Sequence, residues 1–303
     1  MEDDGRSNRP DWRAEFKRLE GAYAPATIKS YFTDVQIFVD WCEARSLQPL
    51  PAAVETVCEF LEDQGLGLCP SSVRRRIYAI RKAHRLLHLS DPTFDENVNL
   101  ALRRVRRSKL GRPRQARGMT RDFLERCLDA QADTPWGLRN RAMLSLGYDL
   151  LTRRSELVAL MSQDIELRGD GTLRAIIRRS KSDPFGMGRI GYTSRRSADL
   201  VGRWLAWRGE EIAPLFCGIY QGKAINRPLE VSKVKLIIKE AVAAAGLPPE
   251  EVAAFSGHSL RVGAAQDLLC AGLDTAAIMR AGGWKSVNVL AHYLELAEHN
   301  VWA

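Results

Sequence analysis

The chain has 303 residues, 45% hydrophobic and 27% charged, which excludes fibrous, low-complexity and disordered classes and leaves room for one large domain or two ordinary ones. Forty-five Lys and Arg against 37 Asp and Glu give a formal charge of +8, a balance that favours a polyanionic partner, nucleic acid first. The acidic opening Met1-Glu2-Asp3-Asp4 is no secretory signal, and no apolar run approaches the roughly 18 residues of a membrane span, so a cytoplasmic, nucleoid-associated protein is expected.

Residues 1–11 are polar and read as disordered. From 12 to 108 the apolar spacing is helical throughout, which predicts a compact all-helical domain. Its first long helix covers 26–44, opened by Pro25-Ala26-Thr27 with Thr27 or a neighbour as cap. A second runs from Pro51 to Gln64 and is ended by Gly65-Leu66-Gly67. The third opens at Pro70-Ser71-Ser72 and carries Val73, Ile77, Ile80, His84 and Leu87 on one face. Its other face sends out Arg74, Arg75, Arg81, Lys82 and Arg85 with few acids between them, which suits a DNA groove; a solvated helix face is the competing reading. His84 and His88 have metal-ligand spacing without an evident third ligand. A fourth helix covers 95–108.

Residues 103–121 hold nine basic residues and no acid, among them Arg106, Arg107, Arg112 and Arg114. Gly111, Pro113 and Gly118 break any helix there, so 109–118 reads as a basic linker able to lie along phosphates. The second domain, 119–303, starts with Thr120 as a helix cap and helices at 121–131 and 137–151, with another opening near Arg154. A β-hairpin follows, 173–179 returning at 189–193, with Lys181 at its tip or flank. Helices resume at 197–208, 230–245, 259–272, 274–281 and 286–299. The six cysteines (Cys42, Cys58, Cys69, Cys127, Cys217, Cys270) form no CxxC pair and read as buried thiols of a reducing compartment.

Five short runs carry chemistry. They are Thr152-Arg153-Arg154-Ser155-Glu156-Leu157, Lys181 in its hairpin, Gly257-His258-Ser259-Leu260-Arg261, Ala281-Gly282-Gly283-Trp284, and Tyr293 nine residues after Trp284. Arginines match phosphate oxygens with planar forked donors, and a tyrosine hydroxyl is a nucleophile toward phosphorus. Singly, each residue is as well read as packing or helix-start structure. Together they describe a phosphodiester site.

In this order and spacing the runs resemble the signature of the tyrosine recombinases, the phage integrase family, with Trp284 where most members carry His. The resemblance implies two domains: an N-terminal all-α, SAM-like core-binding bundle and a C-terminal mixed α+β catalytic domain, clamped around DNA. It also implies roles. Tyr293 attacks phosphorus to give a 3′-phosphotyrosyl enzyme, His258 serves as general base, and Arg153 and Arg261 hold the non-bridging oxygens. Lys181 serves as general acid, Trp284 donates one N–H, and Glu156 orients its neighbours. No metal or nucleotide cofactor is implied, because the phosphotyrosine retains the energy of the broken bond. The expected partners are double-stranded DNA carrying inverted repeats and further copies of the chain, a homodimer on one site and a homotetramer in synapsis. Two features depart from the family pattern: His292 beside the nucleophile, and only ten residues after Tyr293, few for a tail that docks on a neighbour. A type IB topoisomerase-like nicking enzyme and a DNA-binding relic that no longer cuts are the rival readings. The absence of an additional domain before residue 12 predicts the simpler two-domain type.

Overall fold

A computed structural model describes residues 11–109, 115–178, 183, 186–295 and 297. The chain divides into two compact units, Met1–Pro113 and Arg114–Ala303. Among the described residues no helix is long and apolar enough to cross a membrane.

The first unit is all helical. α1 (Trp12–Glu15) is capped by Asp11, whose carboxylate accepts from the Arg13 and Ala14 amides. α2 (Pro25–Glu43), α3 (Val54–Gly67), α4 (Pro70–Leu86) and α5 (Glu96–Ser108) follow. Their apolar faces close over Phe38, Phe60, Leu61, Val73, Ile77, Ile80, Val98 and Val105. The expected cap of α2 is corrected: Pro25 occupies the first turn after Ala24, and no side chain caps the helix; the Thr27 amide donates to Ala24 O at 2.8 Å instead. α3 starts at Val54 instead of Pro51 and runs through Gly65. Gly65 is there for packing, because a Cβ would come 2.7 Å from Val105 Cγ2 of α5. The His84–His88 metal reading fails: His84 is buried, its Nε2 accepting from the Ala52 amide at 3.0 Å and its Nδ1 lying 2.9 Å from Ile80 O. No group of metal-ligating residues occurs among those described.

The second unit mixes helices with two small sheets. α6 (Arg121–Asp129), α7 (Pro135–Asp149) and α8 (Arg154–Val158) lead into β1 (Ile165–Leu167), β2 (Leu173–Ile177) and β3 (Arg189–Tyr192), an antiparallel sheet in that order. Ala175 sits opposite both Ile165 and Gly191. After α9 (Arg195–Arg208) come the hairpin β4 (Cys217–Tyr220) and β5 (Lys223–Pro228), then α10 (Val231–Ala244), α11 (Pro249–Ala254), α12 (Ser259–Cys270), α13 (Thr275–Gly282) and α14 (Val287–Leu294). The core gathers around Trp204, Met143, Leu144, Phe216, Ile238, Phe255 and Ala265. β1, β4, β5 and α11 are absent from the sequence reading, being short and weakly periodic. Thr120 stands at the N-cap of α6 without a side-chain bond; the Asp267 carboxylate takes the Arg121 amide at 2.7 Å instead. Residues 115–118, read as linker, are fastened to the second unit. The Arg117 amide donates to Ala254 O at 3.0 Å and its guanidinium pairs with Glu251. Cys42, Cys127 and Cys217 are buried as expected, whereas Cys69 and Cys270 are exposed.

Candidate functional site

The site is assembled on the turn between α7 and α8. Leu151 holds φ at +48°, a left-handed conformation that costs a branched residue on the order of 1–2 kcal/mol. Around that turn two successive carbonyls receive arginines: Leu150 O accepts from Arg189 Nη2 at 2.7 Å, and Leu151 O accepts from Arg261 Nη1. Arg153 follows as the N-cap of α8. Its amide donates to Glu156 Oε2 at 3.0 Å, and its guanidinium Nη1 donates to Oε1 at 2.5 Å. The spacing of three residues makes both bonds local, and a carboxylate in the first helical turn is also favoured by the helix dipole. Glu156 is almost completely buried and faces a second cation, Arg189 Nη2, at 3.7 Å.

Arg261 lies in the first turn of α12 and is fully buried. Burial, reinforced by the nearby Arg153 charge, pushes its guanidinium down to about 10, which leaves it charged at neutral pH. The Trp284 ring covers it, with the guanidinium carbon 3.7 Å from the ring centroid. Tyr293 on α14 meets the same indole edge to face, centroids 5.1 Å apart at 70°. Glycines make this stack fit. A Cβ on Gly282 would fall within the Trp284 ring, and Gly283 turns the chain at φ +68° with Arg189 against it. Arg261 Nε and Nη2 and Trp284 Nε1 are buried and have no hydrogen-bond partner among the described residues. Buried donors left open are costly; the two side chains that carry them both adjoin Tyr293, the Arg261 guanidinium carbon 5.8 Å from its ring centroid.

His258 occupies the N-cap of α12, exposed, with its amide donating to Ser256 Oγ at 3.1 Å. Together with Tyr293, Ser256, Val262, Gln115 and Ala116 it lines a pocket of about 260 Å³. His292 borders the same pocket but places Nδ1 3.0 Å from Glu295 Oε1 on the exposed side of α14. The structure thus brings Arg153, Glu156, Arg261, Trp284 and Tyr293 together and sets His258 beside the tyrosine. Lys181 lies outside the described residues. Arg154 is half-buried, its stem packed where Gly257 has no Cβ. Missed by the sequence reading were Arg189, which looks like one more strand residue, and Gln115 with Ala116, which look like linker.

The expected DNA-facing residues divide. Arg74 is exposed and donates to the Tyr78 hydroxyl at 3.0 Å. Arg75 is fixed by two bonds to buried Asp34, 2.6 and 2.9 Å. Arg81 donates to Thr93 Oγ1 at 2.9 Å and lies over Phe94, while Lys82 donates to the Tyr23 hydroxyl at 2.7 Å. Arg85 sits 3.5 Å from Asp91. The helix face read as unopposed is therefore partly neutralised by acids from α2 and the 91–94 turn. Arg106 and Arg107 are exposed on α5, where with Arg103, Arg104 and Leu100 they surround a hollow of about 540 Å³. Arg112 and Arg114 lie outside the described residues.

The sequence profile of the phage integrase family matches residues 117–300. The integrase/recombinase XerD homolog of Selenomonas ruminantium is 30% identical over 92% of this chain and 84% of that protein. Recombinase Cre of Escherichia phage P1 is 28% identical over 90% and 84%. The fold is similar to that of the Tn1549 transposon integrase solved with transposon right end DNA, at a TM-score of 0.66 and 14% identity, covering 96% of this chain and 95% of that one. With its sequence profile, its full-length relatives and its fold in agreement, the chain belongs to the phage integrase family, the tyrosine recombinases.

Proposed function

We propose that this site-specific recombinase cuts and rejoins DNA through a covalent bond to Tyr293. The Tyr293 oxygen attacks the scissile phosphorus, the bond from phosphorus to the 5′ oxygen breaks, and a 3′-phosphotyrosyl enzyme and a free 5′-hydroxyl result. His258 accepts the tyrosine proton and returns it on resealing; Lys181 protonates the departing 5′ oxygen. Arg153 and Arg261 hold the non-bridging oxygens and offset the charge that grows in the transition state. Trp284 adds an indole N–H, and Glu156 keeps Arg153 in place. Resealing reverses the attack, so neither metal nor nucleotide enters the cycle.

The observation that carries this reading is the set of open donors on Arg261 and Trp284 stacked against Tyr293. The chain would act in the cytoplasm on a duplex with inverted repeats, two copies per site and four in synapsis. Arg74, Arg106, Arg107, Arg112 and Arg114 would contact phosphates, and Arg75, Arg81 and Lys82 would do so from the positions their present partners impose. The test is a nicked suicide duplex built from the DNA flanking the coding sequence. A protein–DNA band on denaturing gels that disappears in Tyr293→Phe is the expected result. Binding without any covalent band would refute catalysis and leave a DNA-binding relic. Cleavage without strand exchange between two marked duplexes would indicate a topoisomerase-like enzyme instead.

A further inference from the structure

We infer that Arg189 is a positioning residue, a side chain that registers the two halves of the site against each other; this rests on the reading of Tyr293 and its arginines as the catalytic set. Arg189 leaves β3 and is largely buried. Its Nη1 donates to Ala281 O and its Nη2 to Leu150 O, each at 2.7 Å. The same Nη2 stands 3.7 Å from Glu156 Oε2. Each partner adjoins a different member of the site. Glu156 holds Arg153, Leu150 precedes the carbonyl that holds Arg261, and Ala281 lies in the last turn of the helix that delivers Trp284 three residues later.

A planar fork with donors on two sides can bridge carbonyls 131 residues apart in sequence, from 150 to 281. An ammonium presents no such fixed fork. Gly283, at φ +68°, is the counterpart: a Cβ there would come 2.9 Å from Arg189 Cδ. Arg189 is not aimed at the reacting phosphate on this account. It fixes where the two phosphate-binding arginines and the indole stand relative to Tyr293.

The test compares Arg189→Gln and Arg189→Lys with the wild type in the full chain. Hydrogen exchange is read first, because it needs no DNA. Protection should fall in peptides covering both 150–158 and 281–287 while the midpoint of thermal unfolding moves little. Single-turnover cleavage of the nicked duplex is read second. Its rate should fall on the order of 10–100-fold for Gln and less for Lys, with the dissociation constant for the same duplex unchanged. Loss of affinity in step with loss of cleavage, exchange altered in only one segment, or Gln cleaving within about twofold of wild type would each overturn the assignment. An inactive wild type would overturn the functional reading itself, and with it the positioning role, even where the exchange result holds.

Discussion

Glu156→Gln tests whether one carboxylate holds the arginines of the site. The side chain is buried and accepts from the Arg153 amide at 3.0 Å and its guanidinium at 2.5 Å, with Arg189 at 3.7 Å. Glutamine keeps the shape and one acceptor, but it turns N–H donors toward guanidinium donors and removes the negative charge between two cations. Breaking a buried pair costs about 3–5 kcal/mol. Arg153 is one-fifth exposed, so water recovers part of this, and a loss of roughly 3 kcal/mol is expected. Urea unfolding followed by hydrogen exchange in α7 and α12 isolates the second unit from the first. Adding Arg153→Met closes a double-mutant cycle whose coupling should be about 2 kcal/mol. Cleavage of the nicked duplex should fall alongside. A cost below about 1 kcal/mol, the scale of a surface pair, with cleavage intact would refute the reasoning: the arginines would then be held by their carbonyls alone.

Gly282→Ala drives a methyl into the space of the Trp284 ring and should destabilise the second unit by about 1–3 kcal/mol, as overpacking does; unchanged Trp284 fluorescence and unchanged cleavage would count against the stack. His84 is held neutral, its ionisation pushed down by burial despite the favourable Ile80 carbonyl and Asp91. Because the unfolded chain takes up the proton first, stability should decline as pH falls from the ordinary histidine value near 6.5 toward the depressed folded one; His84→Gln should flatten that decline, measured as the unfolding midpoint between pH 7 and 5. Cys69 is exposed and its thiol is brought down to about 7 by bonds from Ser71 and Ser72, whereas burial pushes Cys42 up to about 12 and Cys127 up to about 11. Iodoacetamide at neutral pH should therefore label Cys69 well before Cys42 or Cys127 by peptide mass spectrometry, and equal labelling would contradict the environment described.

The parts of the site that could be read from the sequence are those written locally. Arg153 with Glu156, and His258 with Arg261, each sit three residues apart on a helix start, where spacing alone puts them on one face. Trp284 stands in the short connection between α13 and α14, and Tyr293 follows on α14. What could not be read depends on main-chain partners or on distant acids. Nothing in the run Arg189-Ile190-Gly191-Tyr192 tells that the arginine will bridge carbonyls 39 residues before it and 92 after it. Nor does the basic face of α4 reveal Asp34, 41 residues earlier, which takes up Arg75. Gly65 looks like a helix end because an absent side chain reads as a break; only the position of Val105 shows that it is a packing site. The strands β1, β4 and β5 are too short for alternation to stand out from the surrounding helices.

Two of the buried arginines in the site end on peptide oxygens, those of Leu150 and Leu151. A peptide oxygen cannot be mutated away. Substitution at either position changes packing but leaves both acceptors in place as long as the turn is kept, so the anchoring of this site is insulated from the identity of the residues that supply it. A survey of side chains alone would pass over these two leucines, and a substitution scan would score them as core. What they contribute instead is the path of the backbone, and the vulnerable quantity is the φ of Leu151.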